Sequence, residues 1–260
     1  MRAELGQVLT PPSVADLVLS LALDGLGRDA RVLDPACGDG VFLARAAARG
    51  VRAAGVEIDP ALAAAAAAHG DVRCGDFFAL APAEHDAVVG NPPYVRQERI
   101  GAGKRRLGKL TGAPARADLA LAFVLRALQF VRPGGRVAFV LSAAVLDADY
   151  GAALAGAGRV THVVASPRER WFPDAAVHAV ILVIERGGAG ATTCARLRVP
   201  VAEAAARVRR QSDLAAVADV RTAAPGEAWA PLLRAPDVWL DVSRRAPLVP
   251  LGELAELRRG

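Results

Sequence analysis

The sequence is poor in cysteine, and its three cysteines, at positions 37, 74 and 194, form no CxxC pair. An odd number of widely spaced cysteines cannot build a disulfide framework, which favours a reducing, cytoplasmic location. The four histidines have no metal-ligand spacing to one another or to the cysteines, so we expect no metal site. The sequence also lacks an N-terminal signal segment and any uncharged run near the ~18–20 residues that span a bilayer.

The clearest chemical motif is Asn91-Pro92-Pro93-Tyr94, which follows the apolar run Ala87–Val89. Proline cannot donate the hydrogen bond that a central strand needs, so we expect the strand to end here in a rigid turn. The Asn91 side-chain oxygen and a nearby backbone carbonyl can accept from a planar amino group, and Tyr94 offers a ring for stacking. These features describe a pocket for the exocyclic amine of a nucleobase. The alternative is an ordinary Asn-Pro turn.

Positive charge is concentrated directly after this turn. Residues 95–116 hold seven basic residues and one acidic residue. Their net charge of +6 exceeds the net charge of +5 of the whole chain. Such a run is often only a solvated loop. Its position beside a candidate base pocket favours a phosphate-contacting loop. The candidate nucleic-acid-binding residues are Arg96, Arg99, Lys104, Arg105, Arg106 and Lys109.

Short apolar runs alternate with helical stretches over the first two thirds of the chain. Strands are predicted at Arg31–Leu33, Ala53–Val56, Val72–Cys74, Ala87–Val89, Arg136–Leu141, Val160–Ala165 and Ala179–Ile184. Helices are predicted at Ser13–Leu23, Val41–Arg49, Pro60–Ala68, Asp118–Val131 and about Leu146–Ala155, and beyond residue 187 a strand at Arg196–Val199 and a helix near Val201–Ala218. The alternation predicts an α/β fold with a doubly wound, mostly parallel sheet of seven strands. Its last two strands would form an antiparallel pair at one edge.

A glycine-containing turn follows the first predicted strand. It reads Asp34-Pro35-Ala36-Cys37-Gly38-Asp39-Gly40 and runs into a helix. This is not a GxGxxG fingerprint, and its two aspartates would repel a pyrophosphate. A ligand that carries both a cation and a carboxylate fits better, because backbone N–H groups at a helix start can hold the carboxylate. S-adenosylmethionine is such a molecule.

Acidic residues also end the second and third predicted strands. Glu57 is placed to hold ribose hydroxyls, Ile58 could pack on the adenine, and Asp59 is more simply the cap of the next helix. Asp76 can accept from the cofactor's adenine amine, and Phe77 can pack against its ring. Four consecutive strands that end in suitable chemistry favour a cofactor site over chance.

Taken in order, Gly6–Pro12, Asp34–Gly40, Glu57, Asp76-Phe77 and Asn91–Tyr94 resemble the amino-methyltransferases that modify DNA at adenine N6, in the gamma-type arrangement of restriction-modification enzymes. The resemblance covers roughly residues 5–186. It implies a Rossmann-like methyltransferase domain over 1–186 and a linker with a C-terminal extension over 187–260. Asn-Pro-Pro-Tyr is shared with methyltransferases of rRNA guanines and of glutamine in release factors, but the Thr-Pro start and Trp171-Phe172-Pro173 favour DNA adenine.

The resemblance implies a role for each matching residue. Thr10 would close over the methionine end of S-adenosylmethionine. The amino-acid portion of the cofactor would be lined by Asp34, Ala36, Gly38, Gly40 and Asn91; the ribose would be bound by Glu57, and the adenine by Ile58, Asp76 and Phe77. The catalytic set would be Asn91 and the Pro92 carbonyl as acceptors, Tyr94 stacked on the extruded base, and Phe172 on another side of it. The alternative for Phe172 is a core aromatic.

Sequence recognition is less well accounted for. The segment Leu251–Gly260 resembles the start of the connection to a target-recognition domain, and no such domain follows in this sequence. We expect recognition of double-stranded DNA to come from a separate specificity subunit, unless the chain is a fragment or a degenerate form. By itself it should bind cofactor and methylate DNA weakly or without specificity. The alternatives are an RNA or protein amide methyltransferase and a non-catalytic nucleic-acid-binding subunit.

Overall fold

The computed structural model describes residues 9–93, 104–113, 119–146, 154, 157–167, 169–172, 178–246, 249 and 251–254. Within them one sheet contains nine strands in the order β3-β2-β1-β4-β5-β7-β6-β8-β9. The strands are β1 (Val32–Asp34), β2 (Ala53–Glu57), β3 (Asp71–Cys74), β4 (His85–Gly90), β5 (Val131–Ser142), β6 (Gly158–Ala165), β7 (Ala179–Arg186), β8 (Thr192–Leu197) and β9 (Ala218–Ala223).

Helices connect and flank these strands. They are α1 (Pro12–Ala22), α2 (Val41–Ala47), α3 (Pro60–Ala66), α4 (Lys104–Thr111), α5 (Leu119–Leu128), α6 (Val201–Arg207), α7 (Leu214–Val217), α8 (Trp229–Arg234), α9 (Asp237–Arg245) and α10 (Leu251–Leu254). Short 3-10 turns lie at Phe77–Ala79, Ala143–Leu146 and Gln211–Asp213. The predicted helix near Leu146–Ala155 falls almost wholly outside the described residues.

Strands β3, β2, β1, β4 and β5 run parallel to one another, and their register brings their carboxyl ends to one edge of the sheet. Asp34 at the end of β1 lies opposite Gly55, and Glu57 at the end of β2 lies opposite Cys74. Strand β7 is antiparallel to both β5 and β6. The parallel strands therefore place the residues that follow them side by side.

Apolar side chains cover both faces of the sheet. On one face α1 is buried along most of its length and packs with α2 and α6 over the strands. On the other face α5 packs its apolar residues on β5 and lies against α4. Helices on both faces are what the alternation of strands and helices predicted.

The prediction of seven strands was wrong, because the sheet continues past residue 187. Strand β8 pairs parallel with β6, and β9 pairs antiparallel with β8. The antiparallel pair β6–β7 thus lies inside the sheet, and the edge strand is β9. The predicted boundary at residue 186 falls between two strands of a single sheet, so β8 and β9 extend the same layer.

The predicted helix Val201–Ala218 is interrupted. Helix α6 ends at Arg207, and the Asp213 carboxylate accepts hydrogen bonds from the backbone N–H groups of Arg209 and Arg210. Through these bonds the Asp213 side chain closes the start of the 3-10 turn Gln211–Asp213, and the bonds lower the pKa of its carboxyl. Over the described residues, no helix is both long and apolar enough to cross a membrane.

Candidate functional site

The carboxyl ends of β1, β2 and β4 meet around the buried carboxyl of Asp34. Asp34 Oδ1 accepts from the Ala36 N–H at 3.1 Å. A Cβ atom on Gly90, the last residue of β4, would lie 2.8 Å from the same oxygen. Glycine at this position therefore lets β4 pass directly against the carboxyl group.

The second carboxyl oxygen of Asp34 is buried and has no hydrogen-bond partner among the described residues. The pKa of Asp34 is raised to about 8, mainly by burial. The nearby charge of Glu57 also raises this pKa, and the hydrogen bond from the Ala36 N–H lowers it. A buried carboxyl with an unused acceptor atom is a group that a cationic ligand can satisfy.

Glu57 holds the glycine-containing turn in place. Its Oε2 accepts from the Gly38 N–H at 2.8 Å, and its Oε1 accepts from the Asp59 N–H at 2.9 Å. The carboxylate is buried between the turn and the end of β2. This structural role was not predicted, and it stands beside the predicted contact with ribose hydroxyls, which stays a prediction.

The two glycines of the turn serve different purposes. Gly40 has φ +90°, and a Cβ there would lie 2.9 Å from Ala66 Cα, so this glycine lets α2 begin against α3. Gly38 has φ +56°, and of the described atoms a Cβ there would meet only Leu9 Cδ2, at 4.0 Å. The turn is therefore open at Gly38, beneath Leu9, where a ligand can approach its backbone.

The acids after β2 and β3 also cap local turns. Asp59 Oδ1 accepts from the N–H groups of Ala61 and Leu62, at 2.8 and 3.3 Å, which confirms its predicted role as a helix cap. Asp76 Oδ1 accepts from the Phe78 N–H at 2.9 Å, and its side chain is exposed at the edge of the sheet. The predicted bond from Asp76 to the adenine amine stays a prediction.

The apolar candidates separate into exposed and buried side chains. Ile58 is 58% exposed at the end of β2, where a flat ligand can reach it. Phe77 is 3% exposed, with its ring 5.7 Å from that of Phe123 and 4.8 Å from that of Phe130. Phe172 is 2% exposed within the core on the α1 face. For both phenylalanines the structure therefore supports packing in the core, and their contacts with adenine rings stay predictions.

Asn91 and Thr10 lie 81 positions apart in the sequence and are joined by a hydrogen bond. The Asn91 Nδ2 donates to Thr10 Oγ1 at 3.1 Å, and Thr10 is buried just before α1. Because the amide nitrogen of Asn91 faces Thr10, the side-chain oxygen of Asn91 points in a different direction. The bond joins a residue of the first sequence motif, Gly6–Pro12, to a residue of the last one, Asn91–Tyr94.

The basic candidates are only partly described. Tyr94, Arg96 and Arg99 lie outside the described residues. Lys104, Arg105 and Arg106 belong to α4, but their side chains lie outside the described part, while Lys109 on the same helix is exposed. The predicted phosphate-contacting loop is therefore helical over Lys104–Thr111.

Sequence reasoning missed three features of this edge. It did not identify Gly90 as the residue at which β4 passes close to Asp34. It also missed the hydrogen bond by which Glu57 holds the turn, and the bond between Thr10 and Asn91. A glycine at the end of an apolar strand was the available signal for the first. The other two depend on pairs distant in sequence, for which a single sequence contains no signal. Among the described residues, no group of three or more His, Cys, Asp or Glu side chains could hold a metal ion.

Comparisons with known proteins find restriction-modification methyltransferases. The family described as Eco57I restriction-modification methylase matches residues 67–159. The type II methyltransferase M.TthHB8I of Thermus thermophilus is 35% identical over 205 residues, which are 72% of this chain and 46% of that protein. The type II methyltransferase M.XamI of Xanthomonas campestris pv. amaranthicola is 33% identical over 209 residues, covering 70% of this chain and 39% of that protein.

Solved structures show the same fold. The type IIG restriction endonuclease BpuSI aligns with 93% of this chain and 34% of its own, with a TM-score of 0.71 at 16% identity. A class I S-adenosylmethionine-dependent methyltransferase of Listeria monocytogenes aligns with 77% of this chain and 71% of its own, with a TM-score of 0.59 at 20% identity. The chain thus has an α/β methyltransferase fold with a large mixed sheet.

The chain spans less than half the length of the two type II methyltransferases that it matches. The fold and the homologues together imply S-adenosylmethionine as the cofactor. On these grounds residues 67–159 match the Eco57I restriction-modification methylase family, and the chain is a homologue of type II methyltransferases.

Proposed function

We propose that the chain transfers a methyl group from S-adenosylmethionine to the exocyclic N6 amine of a flipped adenine in DNA. The observation that carries this proposal is the Asn91 amide, which is oriented by Thr10 at the end of β4 and lies next in the chain to Gly90, which touches Asp34. An amide acceptor beside a cation-compatible carboxyl is the arrangement needed to bring an amine to a sulfonium methyl group.

The residues at this edge fit S-adenosylmethionine. The unpartnered buried oxygen of Asp34 suits its ammonium group, and the open face of the turn at Gly38 gives its amino-acid portion a place to lie. The exposed Ile58 and Asp76 stand where the adenosine would reach along the edge. We assign the ribose hydroxyls to Glu57, whose carboxylate also fixes the turn.

The cofactor supplies an electrophilic methyl group. The work of the protein is to prepare a weak nucleophile, because the lone pair of an adenine amine is delocalised into the ring. The Asn91 oxygen and the Pro92 carbonyl accept the two amine hydrogens and stabilise the positive charge that develops on nitrogen. The amine nitrogen would take the methyl group from the sulfonium sulfur, and one amine proton would leave to solvent. Tyr94 stacks on the base and offsets part of the few kcal/mol needed to extrude it.

Recognition of a DNA sequence is assigned to a partner or to a domain outside these residues. The matched part of the chain covers 46% and 39% of the two type II relatives. We propose that the chain alone binds cofactor and methylates DNA weakly, and that a specificity subunit or recognition domain directs it. Tight, sequence-specific methylation by the purified chain would contradict this part of the proposal.

The first test is calorimetric titration of S-adenosylmethionine and S-adenosylhomocysteine into the purified chain. We expect micromolar-range binding that Glu57→Ala abolishes and that Glu57→Gln, which keeps one acceptor oxygen, weakens less. No binding by a folded protein would contradict the cofactor assignment for this chain.

The second test identifies the methyl acceptor. Duplex DNA, RNA and a Gly-Gln-containing peptide are incubated with methyl-labelled S-adenosylmethionine, and the products are separated by mass spectrometry. We expect N6-methyladenine in DNA. Label in RNA bases or in glutamine would instead support the alternative enzymes. DNA binding without any transfer would support a non-catalytic subunit.

A further inference from the structure

Arg126 is a buried cation near the C-terminal end of α5. It is 4% exposed, and among the described residues no carboxylate forms an ion pair with it. Its guanidinium donates to Gln129 Oε1 at 2.5 Å and to the Leu80 carbonyl, and it lies 5.1 Å above the ring centre of Phe130. Burial lowers the pKa of Arg126. Burying a charge among neutral groups is unfavourable, so its use here calls for a reason other than stability.

One contact of Arg126 reaches the adenine segment, which we define as residues 76–80. This segment starts at Asp76, contains the turn Phe77–Ala79, and ends at Leu80, whose carbonyl accepts from Arg126. The Phe77 ring also rests on rings of α5 and of the residues after it. The segment assigned to the cofactor's adenine is therefore held by the end of α5.

The other hydrogen bond of Arg126 connects it, through Gln129, to the basic helix α4. Gln129 accepts from Arg126 through Oε1 and donates through Nε2 to the Leu110 carbonyl at 3.1 Å. Leu110 lies in the last turn of α4, next to the exposed Lys109. Gln129 thus uses both ends of its amide, one toward the adenine segment and one toward the helix assigned to phosphates.

We propose that Arg126 and Gln129 are positioning residues that link the adenine segment to α4, so that occupancy of the cofactor site raises the affinity of the chain for nucleic-acid phosphates. The proposal rests on the proposed function for its two ligands. A cofactor that contacts residues 76–80 restrains the Leu80 carbonyl, and through Arg126 and Gln129 it restrains the last turn of α4. By linkage, bound DNA raises cofactor affinity by the same factor.

The test measures the affinity for a fluorescent adenine-containing duplex by anisotropy, with and without saturating S-adenosylhomocysteine. We expect the ligand to tighten DNA binding by at least about fivefold in the wild-type chain, which is the low end of typical coupling. Gln129→Glu keeps the acceptor for Arg126 and loses the donor to Leu110. It should bring the ratio of the two affinities to about one, and Gln129→Met, which removes both bonds, should do the same.

Gln211→Glu is the matched control. Gln211 Nε2 donates to the Leu21 carbonyl at 2.9 Å, so the same change removes the same kind of bond far from α4. This variant should keep the wild-type ratio. A ratio of one in the folded wild-type chain, or a wild-type ratio in both Gln129 variants, would overturn the proposal. The measurement uses no methyl transfer, so a failure to produce N6-methyladenine contradicts the proposed function alone.

Discussion

The two halves of the sheet are built differently. Strands β3, β2, β1 and β4 have three to six residues each, and they end beside Asp76, Glu57, Asp34 and Asn91. Strands β5, β7, β6, β8 and β9 have six to twelve residues, and β7 is apolar and buried over most of its length. Polar residues thus collect at the ends of the short strands, and the longest run of buried apolar residues in a strand belongs to β7.

Strand direction explains the difference for β7 and β9, whereas β5, β6 and β8 run in the same direction as the first half. Parallel neighbours bring their carboxyl ends to the same edge, so each strand adds one residue to a common site. Because β7 runs against β5 and β6, its carboxyl end lies at the opposite edge and cannot contribute there. We infer that the first half carries the chemistry and the second half carries much of the stability. The predictions below test that division.

The largest effect is expected from Asn91→Ala in the first half. Removing one preorganised hydrogen-bonding group from a transition-state site typically lowers kcat by about 10²–10³. We expect a loss of that size in methyl transfer with unchanged DNA affinity, and a decrease of about 0.5–1.5 kcal/mol in unfolding free energy, because the bond to Thr10 is also removed. Transfer rates are measured with labelled cofactor. Activity within tenfold of the wild-type chain would show that the first half does not depend on this amide.

The next effect is expected from Ile181→Ala in β7. Ile181 is fully buried, and truncation of such a side chain costs about 2–5 kcal/mol. Urea titration should show this loss of unfolding free energy. At a temperature where the variant is fully folded, its affinity for S-adenosylhomocysteine should equal that of the wild type. A parallel loss of ligand affinity would mean that the two halves are not separable.

A smaller effect, specific to the first half, is expected from Asp34→Asn. The folded-state pKa of Asp34 is raised to about 8, above the ordinary value of 3.8. The protonated form therefore stabilises the cofactor-free chain fully below about pH 4, and this contribution is lost as the pH rises to about 8.

The wild-type Tm should accordingly fall between pH 5 and pH 8 more than that of Asp34→Asn. We expect a difference of at least about 2–4 °C, which corresponds to 1 kcal/mol in a chain of this size. Differential scanning calorimetry without ligand measures it. Identical pH profiles would show that Asp34 is already ionised in the folded chain.

The smallest effect is expected from Glu203→Ala on α6. Glu203 and Arg207 form an exposed pair at 2.9 Å, one helical turn apart. Such pairs contribute about 0.3–0.5 kcal/mol. Stability and ligand affinity should both stay within that range, as judged by urea titration and calorimetry. A larger change would mean that α6, which lies outside both halves of the sheet, has an unrecognised role in stability or ligand binding.

Local patterns predicted the first half of the molecule well. Asp59 before Pro60 and an alanine run marked a helix cap, and the acids after the first two strands followed from where apolar runs ended. These predictions succeeded because each depends on residues close together in the sequence. The Asn91–Thr10 pairing could not be predicted, since it depends on how α1 packs beside β4.

The second half was predicted less well for a physical reason. Strand β8 reads Thr-Thr-Cys-Ala-Arg-Leu and β9 reads Ala-Asp-Val-Arg-Thr-Ala, so neither has a strong apolar run. Both form because the neighbouring strand supplies hydrogen-bond partners, and Arg196 pairs with Asp219 across them. Phe77 shows a related limit, because sequence alone cannot decide which of two adjacent phenylalanines turns into the core.

The bond between Thr10 and Asn91 has a consequence for how the chain folds. It closes a loop of about 80 residues that contains α1 to α3 and β1 to β4. Contacts of such long range form late, because the entropy of the intervening chain must be lost first. During synthesis the proposed acceptor pocket therefore cannot be completed until Asn91 has emerged from the ribosome. A kinetic probe placed on Thr10 would report the last step in its assembly.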